Sequence, residues 1–332
     1  MLIGPPLGNT PEVIHRREGM ITQSTDGKVT FIQVHGDYLF DDYLKVGSDA
    51  VEGLYSFLSD RLTSGKVIKG LNAIGCTAIS VRNRSGGFIA GRNMDYRPCR
   101  VGVVMTSPHN GHRSVSTVDL SMFVEMDEGL SEMLEDTRLE AVPYLPMDGI
   151  NDRGVFVCIN AVNNGHYVEQ QDPDKVTIFT TTALRLILDH AGSTEEAVEL
   201  LSRYNLRSRT ARHLFIADRD GDSRVIEYID GRMCVRSMDG ITNHYHTRDD
   251  VVPATENSLS RLRRVMSMME SMGPVDMDGA KDILASVRQD SDDGIHYTRW
   301  TVLYDLETLS ARLHIRDGED MAYGSGYSYS LI

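Results

Sequence analysis

Gly75-Cys76-Thr77-Ala78-Ile79-Ser80-Val81 and, a short turn later, Phe88-Ile89-Ala90-Gly91-Arg92-Asn93-Met94-Asp95-Tyr96 decide how this chain folds. Thr77–Val81 and Phe88–Gly91 read as two strands joined by a turn at Ser85-Gly86-Gly87. Paired as a hairpin, the end of the second strand returns to the start of the first, and Arg92 and Asp95 come within reach of Cys76. A cation beside a thiol favours the thiolate, and a carboxylate can hold and orient a nearby amine or ammonium. Arg92 and Asp95 alone would read as a surface ion pair of little energetic weight. A cysteine opening an apolar strand would read as a small core residue, which is the reading for Cys158 and Cys234; Cys99 has no partner signal either. The spacing of all three residues sets Cys76 apart.

Outward from the hairpin, strands and helices come in clusters. Upstream, residues 1 to 27 are polar and rich in turn formers, Lys28–Val34 alternates as a strand, and residues 47 to 64 carry a helical apolar spacing through Val51, Leu54, Tyr55, Leu58 and Leu62. Downstream, Val101–Thr106 reads as a strand, a helix is expected around 128 to 140, and Val155–Asn160 suits a buried strand after a turn at Asn151-Asp152-Arg153-Gly154. Helices are expected over 177 to 191 and 194 to 204, the second opened by Ser193 with Glu195 and Glu196. His213–Asp218 and Arg224–Tyr228 flank a hairpin turn; helices near 257 to 271 and 277 to 288 and strands at Trp300–Asp305 and Ser310–Ile315 complete the pattern. The tail from Gly324 reads as a loop. This clustering is α+β rather than alternating βαβ, without an internal repeat or an evident linker.

A chain of 332 residues with 41% hydrophobic and 25% charged residues can build a sizeable core. Its net charge of −14 argues against nucleic acid or an anionic membrane as partner. The cysteines, widely spaced and without a C-x-x-C pair, suit neither a zinc ribbon nor a disulfide scaffold. Neither a secretory signal nor an apolar run of the ~20 residues needed for a membrane span stands out, so a cytoplasmic location is expected. Asp218, Asp220 and Asp222 hint at calcium but lack the further ligands of such a loop and read as the hairpin turn. His244 and His246 alternate without a third ligand. No cofactor and no metal is expected.

Cys76-Thr77 followed by Gly91-Arg92-Asn93-Met94-Asp95-Tyr96 resembles the opening of the choloylglycine hydrolase family, which includes bile salt hydrolases and penicillin V acylases, with acid ceramidase and isopenicillin N acyltransferase as relatives. Later segments match in order. Asp148-Gly-Ile-Asn-Asp-Arg-Gly-Val resembles the family's turn before a central strand, Asn160 falls at its oxyanion-hole asparagine, Thr242-Asn243 resembles its second active-site asparagine, and Ser260-Arg261 its late catalytic arginine. The resemblance covers roughly residues 75 to 315. It implies an αββα four-layer sandwich with two antiparallel sheets, and a catalytic set of Cys76, Arg92, Asp95, Asn160, Asn243 and Arg261.

The cysteine here is internal, as in the ceramidase and isopenicillin-type relatives. The resemblance therefore implies self-cleavage between Gly75 and Cys76, giving a segment 1–75 and a catalytic domain 76–332. Glycine suits the scissile position because it tolerates a strained backbone and leaves the carbonyl accessible. The new α-amine would have a pKa near ~8 and would serve as base for the thiol on its own residue. The expected activity is hydrolysis of a linear amide of an N-acyl substrate; acyl transfer to an amine, or a silent binding module of the same fold, are the alternatives. Expected partners are a small-molecule N-acyl amide and the cleaved N-terminal segment docked as a small subunit, and a homo-oligomer is compatible with the sequence.

Overall fold

Strand alternation in the Cys76 hairpin divides its side chains between two separate cores. In the computed structural model, which describes residues 13–16, 19–48, 51–62, 75–123, 139–165, 170, 172–290, 297–316 and 323–331, Cys76, Ala78, Ala90 and Met94 join the large core, whereas Ile79, Val81 and Ile89 join a smaller one with Val265, Ile283 and Leu284. A strand with period two can serve two apolar layers in this way only when both of its faces are covered.

The chain begins with β1 (Val13–Arg16), β2 (Gly19–Gln23) and β3 (Val29–His35), then the helices α1 (Phe40–Val46) and α2 (Val51–Arg61). The hairpin strands are β4 (Gly75–Arg82) and β5 (Phe88–Tyr96), followed by β6 (Val101–Ser107), β7 (Ser114–Asp119), β8 (Pro146–Asn151) and β9 (Phe156–Ala161). The next section holds β10 (Thr177–Phe179), α3 (Thr180–His190), α4 (Thr194–Ser202), β11 (Asn205–Arg207), β12 (Arg212–Ala217), β13 (Ser223–Ile229), β14 (Arg232–Ser237) and β15 (Gly240–Ile241). The last contains α5 (Glu256–Met272), α6 (Met277–Ala285), β16 (Tyr297–Asp305), β17 (Ser310–Arg316) and β18 (Tyr323–Ser330).

Two sheets pack face to face between helices. The larger has ten strands in the order β1-β2-β3-β6-β7-β8-β9-β12-β13-β14; the smaller has six, β15-β4-β5-β16-β17-β18. Helix α3 covers β8 and β9 on the outside of the large sheet, while α5 and α6 cover β4, β5 and β16 on the outside of the small one. Strand β4 packs directly on β9, so the strand carrying Cys76 lies over the strand carrying Asn160. These are the expected four αββα layers. The small sheet is antiparallel throughout, whereas the large one has a single parallel pair, β3 with β6, and the short β10 and β11 form a separate parallel pair.

The parallel pair arises because the segment before residue 75 is part of the large sheet. β3 pairs with β6 over seven positions from Val29–Val101 to His35–Ser107. An aromatic cluster reinforces this seam: the rings of Phe40, Tyr43 and Phe57 lie 5.5, 5.8 and 6.1 Å from that of Tyr144, whose hydroxyl donates to the Tyr38 carbonyl at 2.8 Å. Gly47 ends α1 at φ 61, where a β-carbon would lie 2.2 Å from the Thr177 carbonyl oxygen, so only glycine lets the chain pass this close.

Several elements differ from expectation. The helix expected over 47 to 64 is α2 alone, preceded by the separate α1. Polar residues before position 27 contain β1 and β2, and the tail read as a loop is β18, paired with β17. β1 and β18 are edge strands paired on one side only, and β2 lies next to the edge between β1 and β3; such marginal positions demand less apolar alternation. The helix expected around 128 to 140 falls almost wholly outside the described residues. Among the described residues no helix is long and apolar enough to cross a membrane.

Phe40 is 3% exposed at the centre of the aromatic seam. Phe40→Ala is expected to cost about 3–5 kcal/mol, read from the urea midpoint at unchanged m-value.

Candidate active site

The site grows out of the β4–β5 register. Gly75 lies opposite Asp95, Cys76 opposite Met94, and Ala78 opposite Arg92. Residues at even positions of β5 therefore share the face of Cys76, and those at odd positions point to the helix layer. Arg92 is on the thiol's face, fully buried, and its Nη2 donates to Cys76 Sγ. Its Nη1 donates to the Met147 carbonyl at 2.9 Å and lies 3.8 Å from Asp148 Oδ2. Asp95 is on the other face, opposite the residue before the cysteine: Thr298 donates to its Oδ1 at 2.6 Å, its Oδ2 lies 3.8 Å from Arg261 Nη1, and that oxygen has no hydrogen-bond partner among the described residues.

Arg261 and Asn243 hold the backbone of the cysteine. The Cys76 N–H donates to Asn243 Oδ1 at 2.9 Å, and Asn243 Nδ2 donates to the Ala161 carbonyl at 2.8 Å, tying the small sheet to the end of β9. Arg261 is presented by α5, which Thr255 caps by accepting from the Ser258 N–H. Its Nη1 donates to the Cys76 carbonyl at 2.9 Å and to Thr77 Oγ1 at 2.8 Å, and its Nη2 to Asn243 Oδ1 at 2.6 Å. Asn257, one helical turn earlier, accepts from Arg261 Nε at 3.0 Å and fixes the fork.

Asn160 completes the set from β9. It shares a face with Phe156, whose ring lies 5.5 Å from that of Tyr304 on the small sheet, so Asn160 points between the sheets. It is fully buried, and its Nδ2 has no partner among the described residues. A buried amide donor left open is uncommon and marks a place where a ligand atom can be received. Thus Cys76, Arg92, Asn243 and Arg261 are joined by direct contacts, Asp95 joins through Arg261, and Asn160 faces them from the opposing sheet.

Burial pushes the Cys76 thiol above its ordinary pKa, and the nearby Arg92 guanidinium pulls it part of the way back. Burial likewise raises Asp95 against the opposing pull of Arg261 and the Thr298 hydrogen bond, and raises Asp148 against Arg92. Sequence reasoning missed Asp148 as the carboxylate behind Arg92, Asn257 and Thr298 as supports, and Arg212 nearby; only the quoted Asp148-Gly-Ile segment carried a signal. The three turn aspartates are accounted for locally, since Asp218 Oδ1 accepts from the Asp220 and Asp222 amides at 3.1 Å.

Behind Asn243 lies a buried imidazole cluster. The His246 ring lies tilted 4.2 Å from that of His244 and stacks 5.4 Å from that of His213, and Glu227 accepts from the His246 and Thr247 amides at 2.8 Å. Burial and the two neighbouring imidazoles lower His246 to about 3. Its folded pKa lies below the ordinary 6.5, so its contribution to stability is complete above pH 6.5 and is lost as the pH falls toward 3. His246→Gln, which cannot charge, is expected to flatten the stability loss across that window in urea titrations.

The two asparagines are expected to behave oppositely on replacement by the isosteric Leu. Asn160→Leu removes an unpaired donor and leaves stability unchanged or raised. Asn243→Leu strands the Cys76 amide, the Ala161 carbonyl and Arg261 Nη2, and costs at least about 2 kcal/mol by urea unfolding.

Comparison with known proteins agrees with this architecture. Penicillin V acylase from Agrobacterium tumefaciens superposes over 72% of this chain and 83% of its own, with 17% identity and a TM-score of 0.52. Two structures of variants of the conjugated bile acid hydrolase from Clostridium perfringens cover 77% of this chain and 92% and 97% of theirs, at 16% and 15% identity and TM-scores of 0.59 and 0.57. At such identities the likeness is one of fold. No curated protein matches by sequence. A family model described as acyl-coenzyme A:6-aminopenicillanic acid acyl-transferase matches residues 81–319, well over half of the chain and beginning just after Cys76. The chain belongs to the acyl-coenzyme A:6-aminopenicillanic acid acyl-transferase family and carries the N-terminal-nucleophile hydrolase fold.

Proposed function

We propose that this protein is an N-terminal-nucleophile hydrolase of linear amides that cuts itself between Gly75 and Cys76. The observation that carries the reading is the environment of Cys76: its thiol receives Arg92 Nη2, while its own backbone N–H and C=O are held by Asn243 and Arg261.

Self-cleavage would begin with attack of Cys76 Sγ on the Gly75 carbonyl carbon. The Gly75–Cys76 C–N bond breaks, the thiol proton passes to the departing nitrogen, and a thioester links Gly75 to Sγ. Water hydrolyses the thioester, leaving a carboxylate on Gly75, a free thiol and a free α-amine on Cys76. Asn243 Oδ1, which accepts the amide N–H in the uncut chain, is placed to accept from that amine. Asp95, opposite Gly75, holds its Oδ2 3.8 Å from Arg261 Nη1, with no hydrogen-bond donor to it among the described residues.

The matured amine takes the proton from Sγ, and the thiolate attacks the substrate carbonyl. The tetrahedral oxyanion would be received by Asn160 Nδ2, a buried donor with no partner among the described residues. In the uncut chain Asn243 Nδ2 is committed to the Ala161 carbonyl, which supports a holding role for it. The ammonium then protonates the leaving nitrogen, the amine product departs, and water resolves the acyl thioester. Arg92 offsets negative charge on sulfur through both steps.

A second reading, acyl transfer to an amine, uses the same thioester and is favoured by the family's description as an acyl-transferase. The segment before residue 76 would stay docked after cleavage as a small subunit, supported by the β3–β6 pairing and the aromatic seam.

Denatured intact masses test the proposal. The wild-type chain is expected to give two polypeptides matching 1–75 and 76–332 that co-elute under native conditions, and Cys76→Ala one uncut chain. A wild-type chain that stays whole across pH and reducing conditions would sink it. In cleaved protein Asn160→Ala should lower kcat about 10²–10³-fold, and product partitioning with added amines separates hydrolysis from transfer.

A further inference from the structure

Asn243 holds the Cys76 amide, and Asn243 is itself held by the turn that carries it, residues 242–247, which follows β15. That turn is anchored at both ends. Toward its start, Thr242 Oγ1 donates to the Ser258 carbonyl at 2.9 Å and His244 Nδ1 lies 2.8 Å from Ser258 Oγ, so α5 holds this side. Toward its end, Glu227 Oε1 accepts from the His246 N–H at 2.8 Å, and Oε2 accepts from the Thr247 N–H at 2.8 Å and the Thr247 hydroxyl at 2.6 Å. His246 joins the two ends, its Nε2 accepting from the Thr242 N–H at 3.2 Å. Asn243 sits inside this closed set of bonds, and its own carbonyl accepts from the Asn163 N–H at 2.8 Å.

Glu227 lies on β13 opposite His213 of β12, and His213 lies opposite Asn160 of β9. Opposed residues on neighbouring strands share a face, so Asn160, His213 and Glu227 form a row on the inner face of the large sheet, all of them wholly buried. The turn packs onto this row, with the His246 ring stacked 5.4 Å from that of His213. Burial pushes Glu227 up, but the His213 bond and charge and the donors at Thr247 and His246 outweigh it and hold the carboxyl down to about 2. A carboxylate only accepts, so His213 Nδ1, 3.1 Å from Oε1, carries a hydrogen and donates it. A buried carboxylate is costly unless donors surround it, and its best-attested use is to fix one arrangement where apolar packing would allow several. Here the arrangement that it fixes is the turn behind the candidate nucleophile.

We infer that Glu227 is a positioning residue of this active site: with His213 as its buried partner it locks residues 242–247, and through them it sets Asn243 against the Cys76 nitrogen. Its effect on rate rests on the amide-hydrolase reading above; the lock itself does not. Without the carboxylate the His246 and Thr247 amides lose their acceptor, the turn loosens at that end, and Asn243 Oδ1 is no longer fixed 2.9 Å from the nitrogen of residue 76. In the cleaved enzyme that nitrogen would be the amine that takes the thiol proton, and a displacement of ~1 Å at such a group costs about 10²-fold in rate.

Two measurements test the inference. The first uses the uncut Cys76→Ala chain, where the residue-76 amide still has Asn243 as acceptor, and follows hydrogen exchange at that amide. Glu227→Gln keeps the size but puts an amide N–H where an acceptor stood; it is expected to speed exchange at residue 76 roughly tenfold or more, with the β6–β7 amides unchanged. His213→Leu should act in the same direction, and His213→Asn, whose Nδ2 takes the place of Nδ1, should restore most of the protection. If Glu227→Gln does not fold, Thr247→Val, which removes one bond to the carboxylate, is read in the same way. Unchanged exchange at residue 76 in the folded variant overturns the lock. The second uses cleaved full-length protein and the octanoyl amide of 7-amino-4-methylcoumarin. Glu227→Gln is expected to lower kcat roughly 10–100-fold with little change in KM, and His213→Asn to recover more of kcat than His213→Leu. An unchanged kcat, or a loss carried by KM alone, overturns the positioning role while leaving amide hydrolysis intact. If the wild-type enzyme turns over no amide, the hydrolase reading fails separately, and exchange at residue 76 still decides whether Glu227 holds Asn243.

Discussion

The β4–β5 register is the constraint on which the site depends. Because strand side chains alternate, a slip of one residue would turn Cys76 toward the helix layer and carry Arg92 away from the thiol. The slip is opposed from both sides at once. Cys76, Ala78, Ala90 and Met94 are packed into the large core, and Ile79, Val81 and Ile89 into the smaller one. Exchanging the two sets would move charged Arg92 into the aliphatic layer beneath α6. Hydrophobic sorting of quite ordinary residues thus sets the position of a reactive one.

Around that hairpin the structure places several charged groups out of water, an arrangement stable only where partners are supplied. Arg92 is answered by Asp148 and the Met147 carbonyl, Arg261 by Asp95, Asn243 and the Cys76 carbonyl. These contacts bridge the two sheets and α5, so the elements cannot move independently without stranding a charge. Within this network Asn160 Nδ2 is a buried donor with no partner among the described residues, facing the thiol from the opposing sheet. Natural interiors rarely leave such a group idle, and here it faces the place where a substrate would have to lie.

The segment before residue 75 is woven into this arrangement. Its β3 continues the large sheet, its aromatic residues pack on Tyr144, and Tyr55 of α2 lines a small cleft together with Met147. Loss of the peptide bond at Gly75 would remove none of these contacts, since sheet pairing and aromatic packing do not depend on chain continuity.

Much of the fold was legible in the sequence because the elements around the site are strongly patterned. Apolar periodicity and cap residues located α2 to α6 to within a few residues, except that α1 has too few apolar positions to register, and turn chemistry located the β4–β5 and β12–β13 hairpins. The edge strands β1 and β18, and β2 next to the edge, escaped because these marginal positions demand less apolar alternation. For the site, the spacing of Cys76, Arg92 and Asp95 determined that a thiol, a cation and a carboxylate would meet at one hairpin. Sequence could not decide which face each would take, nor that Asp148, Asn257 and Arg212 would gather from distant strands and helices. Those choices follow from sheet stacking and from the need to pair buried charge, which are properties of the assembled chain and not of any local run of residues.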